Sequence, residues 1–324
     1  MPTEPIVQIS GPWTHRSVTA NGTRFHVADT GYAPDAGEAP GDGNRPLVLL
    51  LHGFPEFWWT WRHQLTALAE AGYRAVAPDL RGFGGSDKPP RGYDLITAAA
   101  DAAGLIRSLG EANAVVVGHS WGGLVAWTLA SYFPKSVRRM AIVSAAHPLQ
   151  MRGGLLSGPF GGGPPLRLRG SGSGYPLALQ LPLFPERQLV RNSASLVQSL
   201  LSSWSAPGWP DEETARVYRR AIRIPSVAHC SLEYHRWFVR STFRPDGFRY
   251  ARQMRSPVPA PTLHLHGAVD PCVPASAARG AGRYVEAPYR WKILEGTGHF
   301  PHEERPDTFN VELLDWLADP EPDR

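Results

Sequence analysis

The stretch VVVGHSWGG, Val115 to Gly123, is an apolar run that stops at a glycine, presents one hydroxyl and resumes through two more glycines. A continuous apolar run reads as a buried strand, and the segment from Gly122 to Tyr132 reads as a helix. Gly118-His119-Ser120-Trp121-Gly122 therefore fits G-x-S-x-G between a strand and a helix, where a serine is held at the apex of a sharp turn. The glycines are a steric requirement: a strained strand-to-helix turn has no room for neighbouring side chains. The helix N-terminus beyond it points amides at developing negative charge.

Outward from the elbow, apolar runs Leu47 to Leu51, Arg74 to Pro78, Ala114 to Val117 and Met140 to Ser144 alternate with helical stretches Trp61 to Ala71, Ile96 to Leu109 and Gly122 to Tyr132. Continuous apolar strands separated by helices predict a parallel sheet covered on both faces. Upstream, His15 to Ala20 and Thr23 to Asp29 flank Asn21-Gly22, the signal of an antiparallel hairpin. YAPDAGEAPGDGNRP, residues 32–46, reads as a surface loop, and MRGGLLSGPFGGGPPLRLRGSGSGYP, residues 151–176, as a long connection. Arginine-rich helical patterns run from Glu186 to Phe243, after which the sheet rhythm resumes with PTLHLHGAVD, a helix over Ala275 to Val285, a strand Arg290 to Leu294 and a closing helix Asp307 to Leu317. The expected fold class is α/β, a mostly parallel twisted sheet with helices on both faces and an inserted helical cap. The expected domains are a core over residues 1–147 and 257–324 and a cap over 148–256.

A chain of 324 residues that is 42% hydrophobic can bury one large core. No apolar stretch approaches the roughly 20 residues of a spanning helix, and MPTEPIVQIS lacks the basic start and apolar block of a leader, so the chain is expected to be cytoplasmic. Cys230 and Cys272 are expected to be free thiols. The net charge of +4 is unevenly placed: residues 151–256 hold 15 arginines, no lysine and six acids, which makes a basic cap on an acidic core. These arginines lack interleaved aromatic repeats or a nucleic-acid motif, which argues against nucleic acid as a partner. The expected partner is a small-molecule substrate, anionic if the basic cap attracts it; the oligomeric state is left at monomer or homodimer.

A serine hydroxyl becomes nucleophilic when a base removes its proton and a carboxylate orients that base. His299, in EGTGHFPHEE after the last strand, is the candidate base. Its rivals are His302, three residues on, and His119, which is adjacent to the nucleophile and cannot easily fold back upon it. Asp270, where LHLHG gives way to a loop, is the candidate acid, with an N-cap role as its ordinary alternative. The other place for the acid, after the sixth strand, offers only Ser144-Ala145-Ala146. The chain order Ser120, Asp270, His299 suits this chemistry. An oxyanion hole needs two converging amides. Trp121 supplies one, and Phe54 in LLHGFPE the other, since Gly53 lets the backbone approach. His264 and His266 share a strand face without a third ligand, so neither metal nor cofactor is expected. Trp58 and Trp61 read as packing, and Arg216, Arg219, Arg220 and Arg223 as a solvated helix face.

Together HGFPEFWWTWR, DLRGFGGSDKP, GHSWGG and GTGHFPHEE resemble the α/β-hydrolase fold, specifically its epoxide-hydrolase-like branch, over Leu47 to Leu317. In that branch two cap tyrosines hold the epoxide oxygen. The resemblance puts Tyr175 in GYPLALQ at the first position and, in SLEYHRW, His235 where the second tyrosine is expected, with Tyr234 one place away; Trp237 is a further candidate pocket residue. The larger departure is Ser120, since the branch places aspartate at the elbow. An aspartyl ester formed at an sp³ carbon can be hydrolysed, whereas serine would form an inert alkyl ether. Serine instead suits an acyl carbon. The expectation is a cofactor-free serine hydrolase of esters or lactones. The alternatives are epoxide hydrolysis by direct water attack with Tyr175 activating the oxygen, amide or carbon–carbon bond hydrolysis, and a non-catalytic ligand-binding member.

Overall fold

The Asn21-Gly22 turn closes a hairpin of β1 (Thr14–Ala20) and β2 (Thr23–Asp29), in which Thr14 faces Asp29 and Ala20 faces Thr23. The computed structural model describes residues 6–31, 45–157 and 180–320; the expected loop at 32–46 lies almost entirely outside them. β2 pairs antiparallel with β4 (Arg74–Pro78), and from there β3 (Leu47–Leu51), β5 (Ala114–His119), β6 (Val137–Val143), β7 (Thr262–Gly267) and β8 (Tyr289–Leu294) extend a parallel array. The eight strands follow the order β1-β2-β4-β3-β5-β6-β7-β8. β3, β4, β5 and β7 are buried along their whole length; in β3 and β5 this shows as a nearly unbroken apolar run, whereas β4 opens on buried Arg74 and β7 alternates apolar residues with buried His264 and His266.

Helices α1 (Arg62–Glu70), α2 (Leu95–Ser108) and α3 (Trp121–Tyr132) link the early strands, with Trp58 and Trp61 fully buried as packing. Asp94 caps α2 by accepting from Thr97 N at 2.7 Å. Between β6 and β7 stand α4 (Pro148–Ser157), α5 (Phe184–Trp204), α6 (Glu212–Ile222), α7 (Val227–Ser241) and α8 (Pro245–Gln253). α5 is two helical pieces joined at Arg191–Ala194, where Asn192, Ser193 and Ala194 have positive φ. Short α9 (Ala275–Ala278) precedes β8, and α10 (Pro301–Glu304) and α11 (Pro306–Ala318) close the chain.

Two expectations need correction. The connection read from Met151 onward begins as helix, since α4 runs to Ser157. The missed signal is His147-Pro148-Leu149-Gln150: His147 Nδ1 accepts from Leu149 N at 3.3 Å and Gln150 Oε1 accepts from His147 N at 3.0 Å. With proline at the first helical position, this is a reciprocal cap built on histidine. The single helix expected over 275–285 is broken, because Gly280 adopts φ 80° between α9 and a 3-10 turn over Ala281–Tyr284. Both cysteines are free, and among the described residues no helix is long and apolar enough to cross a membrane.

Candidate active site

Ser120 stands between β5 and α3 with φ 50° and ψ −112°, a conformation a non-glycine residue holds only when its surroundings enforce it. The enforcement is visible on both sides. A Cβ on Gly118 would lie 2.3 Å from the Gly122 carbonyl oxygen, and one on Gly122 would lie 2.1 Å from the Leu51 oxygen. Ser120 N donates to Val143 O at 3.0 Å, tying the apex to β6. The glycines thus let the turn nest against β3, and α3 begins at Trp121. Gly53 approaches so closely that a Cβ there would be 2.8 Å from Ser120 Cβ. This approach brings the backbone before Phe54 alongside the nucleophile.

The three candidate catalytic residues meet beyond the carboxyl ends of β5, β7 and β8. Ser120 Oγ and His299 Nε2 are 3.1 Å apart, and His299 Nδ1 is 2.9 Å from Asp270 Oδ2. A carboxylate only accepts, so Nδ1 carries the proton and Nε2 is left to accept from the serine hydroxyl. Asp270 is nearly fully buried; its Oδ1 accepts from Cys272 N at 2.8 Å and Val273 N at 2.9 Å, so the turn that offers Oδ2 to the histidine is built by the aspartate itself. The N-cap alternative is corrected: the helix that follows starts at Ala275 with Pro274 as its N-cap, so Oδ1 of Asp270 closes a turn rather than a helix, and Oδ2 is left to the histidine. His266 stands behind, its Nε2 donating to Val273 O at 2.7 Å and lying 3.5 Å from Asp270 Oδ2. Burial lowers its proton affinity, leaving a neutral ring.

Neither rival histidine faces the nucleophile. His119 directs Nδ1 to Glu56 Oε2 at 2.7 Å and Nε2 to the His299 carbonyl oxygen at 2.8 Å. Both partners are acceptors, so His119 holds two protons. Burial opposes that charge, yet Glu56 outweighs it and His119 is raised above the ordinary histidine value. Burial likewise opposes ionisation of Glu56, but His119 holds its carboxyl well below the usual carboxylate range. Glu56 Oε2 also accepts from Gly53 N at 2.8 Å, so the pair braces the loop facing Ser120. His302 is fully buried beneath, 2.7 Å from Thr60 Oγ1, whose hydroxyl donates to Glu56 Oε1 at 2.7 Å. Burial pushes His302 down to about 4. Glu56, His119 and His302 offer ligand atoms within 4.8 Å of one another, the group among the described residues with metal-like spacing. Glu56 bonds His119 directly and His302 through Thr60 Oγ1, so the cluster reads as a brace. His264 and His266 gain no third ligand in any such group among the described residues.

The predicted cap residues divide. His235, on α7, accepts the Trp121 indole N–H at Nε2 (2.8 Å) and donates from Nδ1 to Ser231 O (3.1 Å). Its ring edges Phe54 at 5.1 Å, so it does face the elbow, and burial pushes it down to about 4. Tyr234 commits its hydroxyl to Arg81 O at 3.0 Å, while its ring packs on Phe83, Tyr93 and, at 6.2 Å, Trp121. Trp237 packs on Tyr250 at 5.5 Å, whereas its neighbour Phe238 also meets Trp121, at 5.9 Å. Tyr175 lies outside the described residues. Of the arginines read as a solvated face, Arg216, Arg220 and Arg223 are exposed, while Arg219 bonds Ser193 O and Gln198. Sequence reasoning missed Trp204, whose carbonyl accepts from His299 N at 2.7 Å; a backbone role of this kind leaves no mark on residue type.

Residues 46–306 match the family model described as the alpha/beta hydrolase fold. The chain is 33% identical over 312 residues to Epoxide hydrolase 3 of Xenopus tropicalis, covering 92% of this chain and 76% of that protein. It is 29% identical over 336 residues to Epoxide hydrolase A of Mycobacterium tuberculosis, covering 95% and 98%. The crystal structure of Epoxide Hydrolase A from Mycobacterium thermoresistibile superposes with a TM-score of 0.76 at 27% identity, covering 96% of this chain and all of that one.

Proposed function

We propose, from the premise that the chain belongs to the α/β-hydrolase fold family and to its epoxide-hydrolase-like branch, that this hydrolase acts on a carboxylic ester or lactone through an acyl-serine intermediate. The observation that carries the proposal is the aligned path from Ser120 Oγ through His299 to Asp270, at 3.1 and 2.9 Å. Ser120 Oγ attacks the acyl carbon while its proton passes to His299 Nε2. The carbon–oxygen bond to the leaving group then breaks and the alkoxide takes that proton. Water, deprotonated by the same imidazole, attacks the acyl-serine and releases the acid. The amides of Phe54 and Trp121 are assigned to the oxyanion, Asp270 to the orientation of His299, and residues 148–256 to a cap over the core.

The described cap residues favour this reading. Epoxide opening needs an acid on the leaving oxygen; among the described residues His235 spends its one proton on Ser231 O and Tyr234 spends its hydroxyl on Arg81 O, which leaves that role to Tyr175, outside them. The substrate is assigned as small to medium, partly hydrophobic and favoured by anionic character, with Tyr175 and His235 as proposed wall residues. A specific observation favours a second reading: the relatives are named epoxide hydrolases, and those names fit epoxide hydrolysis by direct water attack better than ester cleavage. In that reading Ser120 merely holds the water. Turnover of nitrophenyl esters by the wild type and Ser120→Ala separates the two. Ester turnover abolished by the substitution supports the acyl-enzyme; undiminished turnover removes serine from the mechanism.

A further inference from the structure

The loop carrying His299 is held from the cap side as well as by the core. A Cβ on Gly298 would lie 2.5 Å from Trp204 O and 2.7 Å from Ser205 Cα, so the linker between α5 and α6 rests directly on the loop backbone. His299 N donates to Trp204 O at 2.7 Å. The Trp204 ring meets His299 edge-on at 5.8 Å, and Trp209 packs on Phe300 at 4.9 Å. One carboxylate joins the two segments. Glu304 Oε2 accepts from Gly298 N at 2.8 Å and from Ala206 N at 2.8 Å, while Oε1 accepts from Phe300 N at 2.9 Å. Both peptide neighbours of the catalytic histidine and the linker from the cap thus share one side chain. The short helix α10 makes the reach possible, since Glu304 N closes back on Phe300 O at 2.8 Å. Burial pushes the Glu304 carboxyl up, and its three backbone donors pull against that shift.

We infer that Glu304 is a positioning residue that couples the seat of the cap to the aim of the His299 imidazole. It touches neither nucleophile nor substrate. Its carboxylate fixes the linker at Ala206 against the loop Gly298–Phe300, so a cap displaced from the core draws the base out of line with Ser120. The inference requires His299 to be the base, and it holds whether that base serves serine or water.

The substitution Glu304→Gln tests it, because an amide has one acceptor oxygen and its NH₂ must oppose at least one of the three N–H donors. Glu304→Asp keeps charge and both acceptors but draws them back by one methylene, so it should retain more function. The first readout is the low-field proton NMR signal of His299 Nδ1–H bonded to Asp270, which reports imidazole alignment independently of any substrate. The second is the split of kcat from KM on whatever ester or epoxide the wild type hydrolyses, with thermal melting to show that each variant folds. The expected result is a broadened or shifted signal and a kcat lowered about 10- to 100-fold in Glu304→Gln, with KM within about twofold and a smaller loss in Glu304→Asp. A wild-type signal and wild-type kcat in either folded variant overturns the inference. Failure of the acyl-serine reading would leave the NMR signal unaffected, so the two failures are distinguishable.

Discussion

Replacing Asp270 by asparagine should silence the enzyme while leaving its structure nearly intact, and the reason lies in how the side chain is already fixed. Oδ1 accepts two backbone N–H groups, from Cys272 at 2.8 Å and Val273 at 2.9 Å. An asparagine keeps both bonds only by placing its carbonyl oxygen there, which puts its NH₂ where Oδ2 stood, 2.9 Å from His299 Nδ1. That nitrogen must then accept, so the proton moves to Nε2 and faces Ser120. A base that already carries its proton on the working nitrogen cannot take another. The same tautomer error in serine hydrolases is worth about 10⁴ in kcat, or about 5.5 kcal/mol of transition-state stabilisation. The assay is steady-state hydrolysis of the best nitrophenyl ester at neutral pH, with thermal unfolding in parallel. The midpoint should move by only a few degrees because the turn is retained. An Asp270→Asn variant holding more than about a tenth of wild-type kcat would refute the assigned roles of Asp270 and His299.

Three further outcomes follow from the same geometry. Gly122→Ala should lose about 3 kcal/mol or fail to fold, since its Cβ would lie 2.1 Å from a backbone carbonyl that cannot yield; urea denaturation measures this. His235→Phe should leave the Trp121 indole N–H without its acceptor and cost about 1–2 kcal/mol, read in the same experiment; an unchanged midpoint refutes the cap-to-elbow link. Acid should weaken the fold before it titrates carboxylates. Burial depresses His147 to about 3 and His302 to about 4, so each favours the folded state fully above the unfolded value of 6.5 and loses that contribution as pH falls below it. At pH 5 the loss is about 2 kcal/mol for each. His119 runs the other way, because its raised affinity stabilises the fold below 6.5 and fades as pH rises. His235, depressed to about 4, acts in the same direction as His147 and His302; denaturation midpoints between pH 7.5 and 5 should therefore fall overall, and a flat profile contradicts the neutral state assigned to these depressed histidines.

Much of this was legible in the sequence because steric rules are local. An apolar run followed by G-x-S-x-G can be satisfied in few ways, and the strands Leu47–Leu51 and Arg74–Pro78 occur at the expected residues because full burial leaves them apolar apart from Arg74, which is paired with Asp29. Ser120, Asp270 and His299 could be proposed together because each follows the carboxyl end of a strand. What sequence could not supply were partners distant along the chain. The Glu56–His119–Thr60–His302 brace joins three segments, and nothing near His119 announces that both its nitrogens face acceptors. Helical register explains the cap: on α7 Ser231, His235 and Phe238 share a face, and that face meets Trp121, whereas Trp237 is rotated off it toward Tyr250. The α4 helix was hidden because Gly153 and Gly154 lower propensity while its cap is an unusual one.

Mass spectrometry of the peptide containing Ser120, after acid quench of the enzyme turning over an activated ester, bears most directly on the central claim. The account predicts an acyl increment on Ser120 that appears with turnover, decays with it and is absent from Ser120→Ala. Steady hydrolysis with Ser120 unmodified, and solvent ¹⁸O delivered to product in a single turnover without any covalent species, would contradict it.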